Sequence, residues 1–549
     1  MMLAFASSKC PLLKTGSNFF IAIWDISVAF MHATIDELIF VHPPKDLVPP
    51  GFCWRLKRAM NGTRRASRQW ADTVTEVLVS SDLIASKVFA MVFFHKDWGI
   101  FVAVWGDDFA AVGGDEGIRK LDALLEANFD KRLEAVVGPM TDTQGKILNR
   151  IIAYNAERKS FEWHTDGKHP KKIGEMLNFN DRTKGANMTG TKDDGAKLRD
   201  GALELEGQEK SLCSSAAGTM LYHALDRPDT QFATGRVMQY VAKPTVLAEA
   251  RMKHLARYIH THPQVVWIFE QQDWVDEITI ITDADWATDA DTRRSVDCVH
   301  IFLGGHLLET STSTQHFIAL STAESEFYGI IRGAACGLQL RELPMEMGWK
   351  MKVRVRTDSS AAKGVVKRSG SGKMKHMAAK HVWMQEVVRQ GIVDVTTIDM
   401  LHNTAGLGTT YHPERRLQEL LQTMPVAIGF DFVPVSVRKG LFLASLLNGV
   451  NAAKGQREEG MTYEKMNVYV MSFATVAFVI AVIVMYVTPL KPTTREVGVQ
   501  VSLDEELAIS MQMQTVAELK RLCVRERVQP GHGATRSAMI AMLVARRTR

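Results

Sequence analysis

The chain has 549 residues, 46% hydrophobic and 23% charged, with a net charge of +5. That length holds several domains, each able to bury a core, and the composition excludes a chain that is disordered throughout. The mild basic excess permits a nucleic-acid partner without requiring one; the six cysteines, none in a CxxC or zinc spacing, exclude a disulfide scaffold and fit a reducing compartment.

Met1–Ser7 is apolar but lacks a preceding positive region and a cleavage site, so it does not read as a secretory signal. Phe19–Trp24 is an apolar run of strand length that ends at Asp25. Lys57, Arg58, Arg64, Arg65 and Arg68 form a basic stretch around Gly62 that could meet phosphates, and a solvated helix face fits the same pattern. Val88–Trp105 reads as two strands broken near Lys96–Gly99. Gly106, Asp107, Asp108 and the apolar Phe109–Val112 follow, the pattern of a hairpin with two carboxylates at its tip. Two-metal phosphoryl transfer needs carboxylates on neighbouring strands, holding two magnesium ions about 4 Å apart. An Asp pair in a turn is also an ordinary turn former.

Residues 136–270 read as a polar, loop-rich connection with helical ends, and Asn178–Gly207 as a flexible linker. From 271 to 425 strands alternate with helices. Glu277–Thr282 leads into Asp283 and Asp285. Val299–Leu308 holds a Gly304-Gly305 turn. Leu320–Leu340 is helical in pattern with Glu324 and Glu326, and Val353–Arg356 is a strand running to Asp358. Between Lys350 and His381 the only acid is Asp358, so Lys373, Lys375 and His376 lie in a strongly basic stretch. The uncharged run Met466–Leu490 is long enough to span a hydrocarbon core of roughly 30 Å, with a buried core helix as the alternative. Residues 511–546 are a short basic tail of helical pattern.

These motifs resemble those of copia-type retrotransposon polyproteins. Asp25-Ile26-Ser27-Val28-Ala29-Phe30-Met31-His32 is similar to that family's first polymerase motif, and Trp105-Gly106-Asp107-Asp108 to its Tyr-Val-Asp-Asp box. Leu56 to Trp70 resembles the basic motif between them. Ala217 to Tyr222, Asp226-Arg227-Pro228-Asp229 and Leu255 to Tyr258 resemble its connection. Thr282-Asp283-Ala284-Asp285-Trp286-Ala287, Ala319 to Phe327 and Arg356 to Ala361 look like its ribonuclease H motifs. The tail looks like a small SAP-like nucleic-acid module, and a plain amphipathic tail fits equally.

The resemblance implies a multidomain fold of α+β and α/β type. Its parts are a partial reverse-transcriptase palm (1–135), a thumb and connection region (136–270) and a ribonuclease H-like α/β domain (271–425); outside the resemblance, the apolar run adds an expected transmembrane helix (466–490) and the basic tail a small helical module (511–546). It implies catalytic, metal-binding Asp25, Asp107 and Asp108 in the palm, and Asp283, Glu326 and Asp358 in the second site, each set holding two Mg2+, with Mn2+ as a substitute. The nucleic-acid contacts would be Lys57, Arg58, Arg64, Arg65, Arg68, Lys373, Lys375 and His376. Partners would be an RNA template, a DNA primer, the RNA–DNA hybrid and deoxynucleoside triphosphates, with a membrane through 466–490. The compartment follows that segment: membrane if it spans, otherwise cytoplasm or nucleus.

The departures are Trp105, Gly106 and Ser67 in the polymerase motifs, the few residues before Asp25 where the family has its fingers, and Gly406 where the family has a fourth carboxylate. Two functions are therefore expected: an RNA-directed DNA polymerase with ribonuclease H activity, or a non-catalytic, membrane-tethered nucleic-acid-binding remnant.

Overall fold

The computed structural model describes residues 1–11, 18–42, 52–191, 203–289, 292–370, 372, 376 and 379–428. The first layer is an antiparallel sheet of order β2-β3-β4-β5-β1-β6. Its strands are β1 (Phe20–Ile26), β2 (Ile84–Ala85), β3 (Val92–His95), β4 (Ile100–Trp105), β5 (Asp108–Gly113) and β6 (Lys131–Val137). β1 lies between β5 and β6 and is apolar on both faces, as a central covered strand must be. Ala22, Trp24 and Ile26 face Trp70, Val74 and Leu78 of α2 (Ala66–Val79) and Ile118, Leu121 and Leu125 of α3 (Asp115–Asn128). Ile21 and Ile23 point the other way, into the core shared with the rest of the molecule. The fully buried Trp24 donates from Nε1 to Asp122 Oδ1 at 2.8 Å. Truncating it to alanine costs about 3–5 kcal/mol.

The stretch expected to be a loop-rich connection is instead a second sheet with helices. β7 (Gln144–Ile147), β8 (Arg150–Asn155), β9 (Ser160–His164) and β10 (Val265–Glu270) run antiparallel. β7 alternates exposed Gln144 and Lys146 with buried Gly145 and Ile147, so its polar letters sit on the outer face of a strand. Its turn to β8 is Leu148-Asn149, both at positive φ and without glycine, so the usual turn signal is missing. Helices α4 (Lys168–Met176), α5 (Gly207–His223), α6 (Gln231–Met238) and α7 (Val246–Thr261) share a core of Ile173, Met220, Val237, Leu255 and Ile259. In this region Arg227 is fully buried against Asp229 at 2.7 Å, and Tyr258 Oη donates to the same carboxylate at 2.9 Å. Removing one partner of such a pair costs about 3–5 kcal/mol.

The third sheet has order β13-β12-β11-β14-β15. β11 (Glu277–Asp285), β12 (Val296–Leu303) and β13 (His306–Thr314) form an antiparallel meander. After helix α8 (Thr322–Glu346), β14 (Lys352–Thr357) runs parallel to β11. Helices α9 (Ser360–Lys367) and α10 (Ala379–Arg389) lead to β15 (Val393–Thr397), parallel to β14. Ser321 caps α8 by accepting from Glu324 N at 3.3 Å, and the Glu324 carboxylate accepts from Leu320 N, one residue before the cap, at 2.9 Å. Glycines let α8 lie close on β11: a Cβ at Gly333 would be 2.8 Å from Thr282 Cγ2, and one at Gly337 2.5 Å from Ile280 Cδ1. The chain then returns through α11 (Glu414–Gln422), and β16 (Val426–Ile428) adds to the second sheet beside β10. The apolar start of the chain, read as no secretory signal, is the buried helix α1 (Met2–Ala6), whose Phe5 packs on Phe101 of the first sheet and on Trp349 just before β14.

The expectation of a transmembrane helix is corrected. Among the described residues no helix is long and apolar enough to cross a membrane. Residues 466–490 and the tail 511–546 lie outside the described residues, whose architecture is built on the three large sheets and their helices.

Candidate active sites

The carboxylates of the first sheet come from one hairpin and its neighbour. Trp105 pairs with Asp108 across a two-residue turn of Gly106 and Asp107, and Asp25 lies directly opposite Asp108 on β1. Gly106 takes φ +66, which a side chain at that position would resist. Trp70 Nε1 donates to Gly106 O at 2.7 Å and ties the turn to α2.

Burial and the neighbouring Asp107 charge push the Asp108 carboxyl up to about 6, against the opposing hydrogen bond from the Leu148 backbone. Asp25 is raised by burial and by Asp107, while Arg132, with Nη2 3.7 Å from Asp25 Oδ2, pulls the other way. Asp25, Asp107 and Asp108 share this sheet end, but their oxygens do not converge into one tight group among the described residues.

Asp283, Glu326 and Asp358 do converge. They come from β11, α8 and the end of β14, and each offers an oxygen within 4.8 Å of the others. Burial raises the Asp283 carboxyl, the Asp358 and Asp285 charges add to it, and the hydrogen bond from Thr409 opposes it. Glu326 is raised by burial and then by Asp283 and Asp358, with Ala284 N donating to its Oε1 at 3.3 Å. Asp358 is also raised by burial, opposed by a hydrogen bond from Asn403.

Glu326 Oε2 is buried with no hydrogen-bond partner. Three carboxylates, Glu326 buried and Asp283 and Asp358 half-buried, with an open oxygen fit a hard divalent cation and are costly without one. Glu324 faces away from this group. Burial works against its charge, but donors from Leu320, Tyr328 and His376 outweigh it and hold the carboxyl low. His376 Nε2 lies 2.9 Å from Glu324 Oε2, so His376 sits on the helix cap.

Two residues without a carboxylate complete the site and were not singled out from the sequence. Asn403 Nδ2 donates to Asp283 Oδ1 and to Thr282 O, each at 3.2 Å, and Thr409 Oγ1 donates to Asp283 Oδ2. They bracket the short 3-10 segment Thr404–Gly408, which contains Gly406. Their signal was the place of that segment beside β11, visible only once the chain is folded.

Of the basic residues, Lys57, Arg58, Arg64, Arg65 and Arg68 are all exposed. Arg65 pairs with Asp36 and Arg68 with Asp72, while Arg58 donates to His32 O at 3.0 Å. Lys373 and Lys375 lie outside the described residues.

Residues 12–139 match the reverse transcriptase (RNA-dependent DNA polymerase) family. The chain is 25% identical over 406 residues to the retrovirus-related Pol polyprotein from transposon TNT 1-94 of Nicotiana tabacum, covering 72% of this chain and 30% of that protein. It is 23% identical over 395 residues to that of transposon RE2 of Arabidopsis thaliana, covering 69% and 26%. The chain thus spans less than a third of the length of these relatives. A solved foamy viral protease–reverse transcriptase in complex with an RNA/DNA hybrid is similar at 9% identity and a TM-score of 0.40, over 72% of this chain and 46% of that one. Residues 12–139 of the chain are thus similar to reverse transcriptases, and most of its length is similar to a part of the transposon Pol polyproteins.

Proposed function

We propose that this chain is an RNA-directed DNA polymerase that also cleaves the RNA strand of an RNA–DNA hybrid, with Mg2+ as the cation and Mn2+ as a substitute. The observation that carries the reading is the convergence of Asp283, Glu326 and Asp358 around the unpartnered Glu326 Oε2. Kinship with the Pol polyproteins supports the polymerase half, with Asp25, Asp107 and Asp108 as its carboxylates. A bound divalent cation supplies Lewis acidity at the scissile or transferred phosphate. The chain's own part is to hold that charge. Asp283, Glu326 and Asp358 present oxygens, and Asn403 and Thr409 fix the orientation of Asp283. Lys57, Arg58, Arg64, Arg65 and Arg68, with Lys373, Lys375 and His376, would meet template and primer phosphates. The partners are an RNA template, a DNA primer, their hybrid and deoxynucleoside triphosphates.

The test is cleavage of an RNA–DNA hybrid by the full chain with Mg2+, beside its Asp283→Asn variant, with primer extension beside Asp108→Asn. Cleavage and extension, each lost in its own variant, support the reading. One observation favours a second reading, a chain that binds hybrid without cutting it: the position of the family's fourth carboxylate is Gly406. Tight hybrid binding by a folded chain that cuts nothing would select that one.

A further inference from the structure

We propose that the ribonuclease H-like site of this chain takes one divalent cation rather than a pair, with Asn403 and Thr409 as positioning residues on the side that a second cation would use. This rests on the cation-dependent reading given under Proposed function and specifies the occupancy of the same site. Both oxygens of Asp283 already accept a neutral donor: Oδ1 from Asn403 Nδ2 at 3.2 Å and Oδ2 from Thr409 Oγ1. The Asn403 amide also hydrogen-bonds Asp358, so one side chain ties together two of the three carboxylates.

Between these donors sits Gly406. A Cβ built there meets only His412 Nε2, at 3.9 Å, so a side chain can leave the backbone at this position without a clash, and glycine supplies no carboxylate. The nearby Asp399 does not replace it. Its carboxylate accepts from Leu401 N at 2.7 Å and stands outside the convergent group. On the opposite side Glu326 Oε2 is open. Three carboxylates outweigh the charge of one dication but not of two held about 4 Å apart, where mutual repulsion is severe.

The count can be read without turnover. Mn2+ bound to the full chain is titrated by electron paramagnetic resonance in an Asp107→Asn/Asp108→Asn background, which removes palm carboxylates. A hybrid with a 2′-O-methyl RNA strand is present throughout. The number wanted is the difference between that chain and the same chain with Asp283→Asn added. A difference of one is expected. A difference of two overturns the single-cation inference and leaves the cation reading of the site standing, whereas zero overturns both. Gly406→Asp is expected to raise the difference to two, with Gly406→Asn remaining at one. If the folded Gly406→Asp chain, checked by its melting curve, stays at one, the assignment of the number to residue 406 is wrong.

Discussion

The first and third sheets both gather three acids, by different constructions. In the first sheet, Asp107 and Asp108 sit at a hairpin tip and Asp25 lies across from Asp108, all at one end. Their register is fixed by backbone pairing, the group is open to solvent at Asp107, and Arg132 stands beside Asp25. In the second site a strand, a helix and a strand end bring acids from three elements to one point, with Glu326 buried and Asp283 and Asp358 half-buried. The comparison teaches that strand register can align acids without converging them; the set that converges takes one of its acids from a helix packed closely on a sheet. Here that closeness comes from Gly333 and Gly337.

The largest expected effect separates the sites. Asp283→Asn should reduce hybrid cleavage to background and leave primer extension unchanged, and Asp108→Asn should do the reverse; loss of both activities in either variant would show that the sites are not independent. Next comes Asn403→Ala, which strips a donor from Asp283 and Asp358. Changes to such supporting groups weaken metal affinity by about 10–100-fold, so Mn2+ titration of this variant should show a loss in that range with primer extension intact.

Gly106→Val is smaller. No atom lies within 4 Å of a Cβ there, so the cost comes from the backbone alone. Forcing a β-branched residue to φ +66 should cost about 1–3 kcal/mol, seen as a lower midpoint in urea and slower extension, with hybrid cleavage unchanged.

The pH dependence should also differ between the sites. Glu326 and Asp283 have folded pKa values raised above their unfolded ones. Between the ordinary carboxylate range and those raised values the folded state holds more protons, so metal-free stability is fully present below that range and is lost as pH rises through the raised values. Melting in chelator should therefore fall from pH 6 to pH 8.5, and Mg2+ should flatten the slope by favouring the charged carboxylates. Asp108, raised to about 6, contributes in the same direction but over a window that closes near that pH. The smallest effect is on salt dependence. Lys57→Ala and Arg64→Ala should each reduce the slope of log affinity for a primer–template against log salt by about one if the residue meets a phosphate. An unchanged slope would leave that residue on a solvated face.

The sequence made the two acidic sets legible because each acid ends an apolar run or lies on a periodic helix, and those patterns survive folding. The second sheet was hidden: its strands carry polar residues on an exposed face, its Leu148-Asn149 turn has no glycine, and β16 joins from far along the chain. Asn403 and Thr409 were hidden for another reason. Neutral donors carry no ligand signature, and their role exists only because Thr404–Gly408 packs beside β11. The hydrophobic run at 466–490 was read from length and apolarity alone, and the described fold has no membrane helix to match it.

The account stands most directly on where a cation binds. Crystals of the full chain soaked in Mn2+ and measured at the manganese edge should show an anomalous peak touching Asp283, Glu326 and Asp358, with Glu326 Oε2 as one of its ligands. The same soak yielding manganese elsewhere, with these three carboxylates unliganded and Asn403 still bonded to Asp283, would contradict the account.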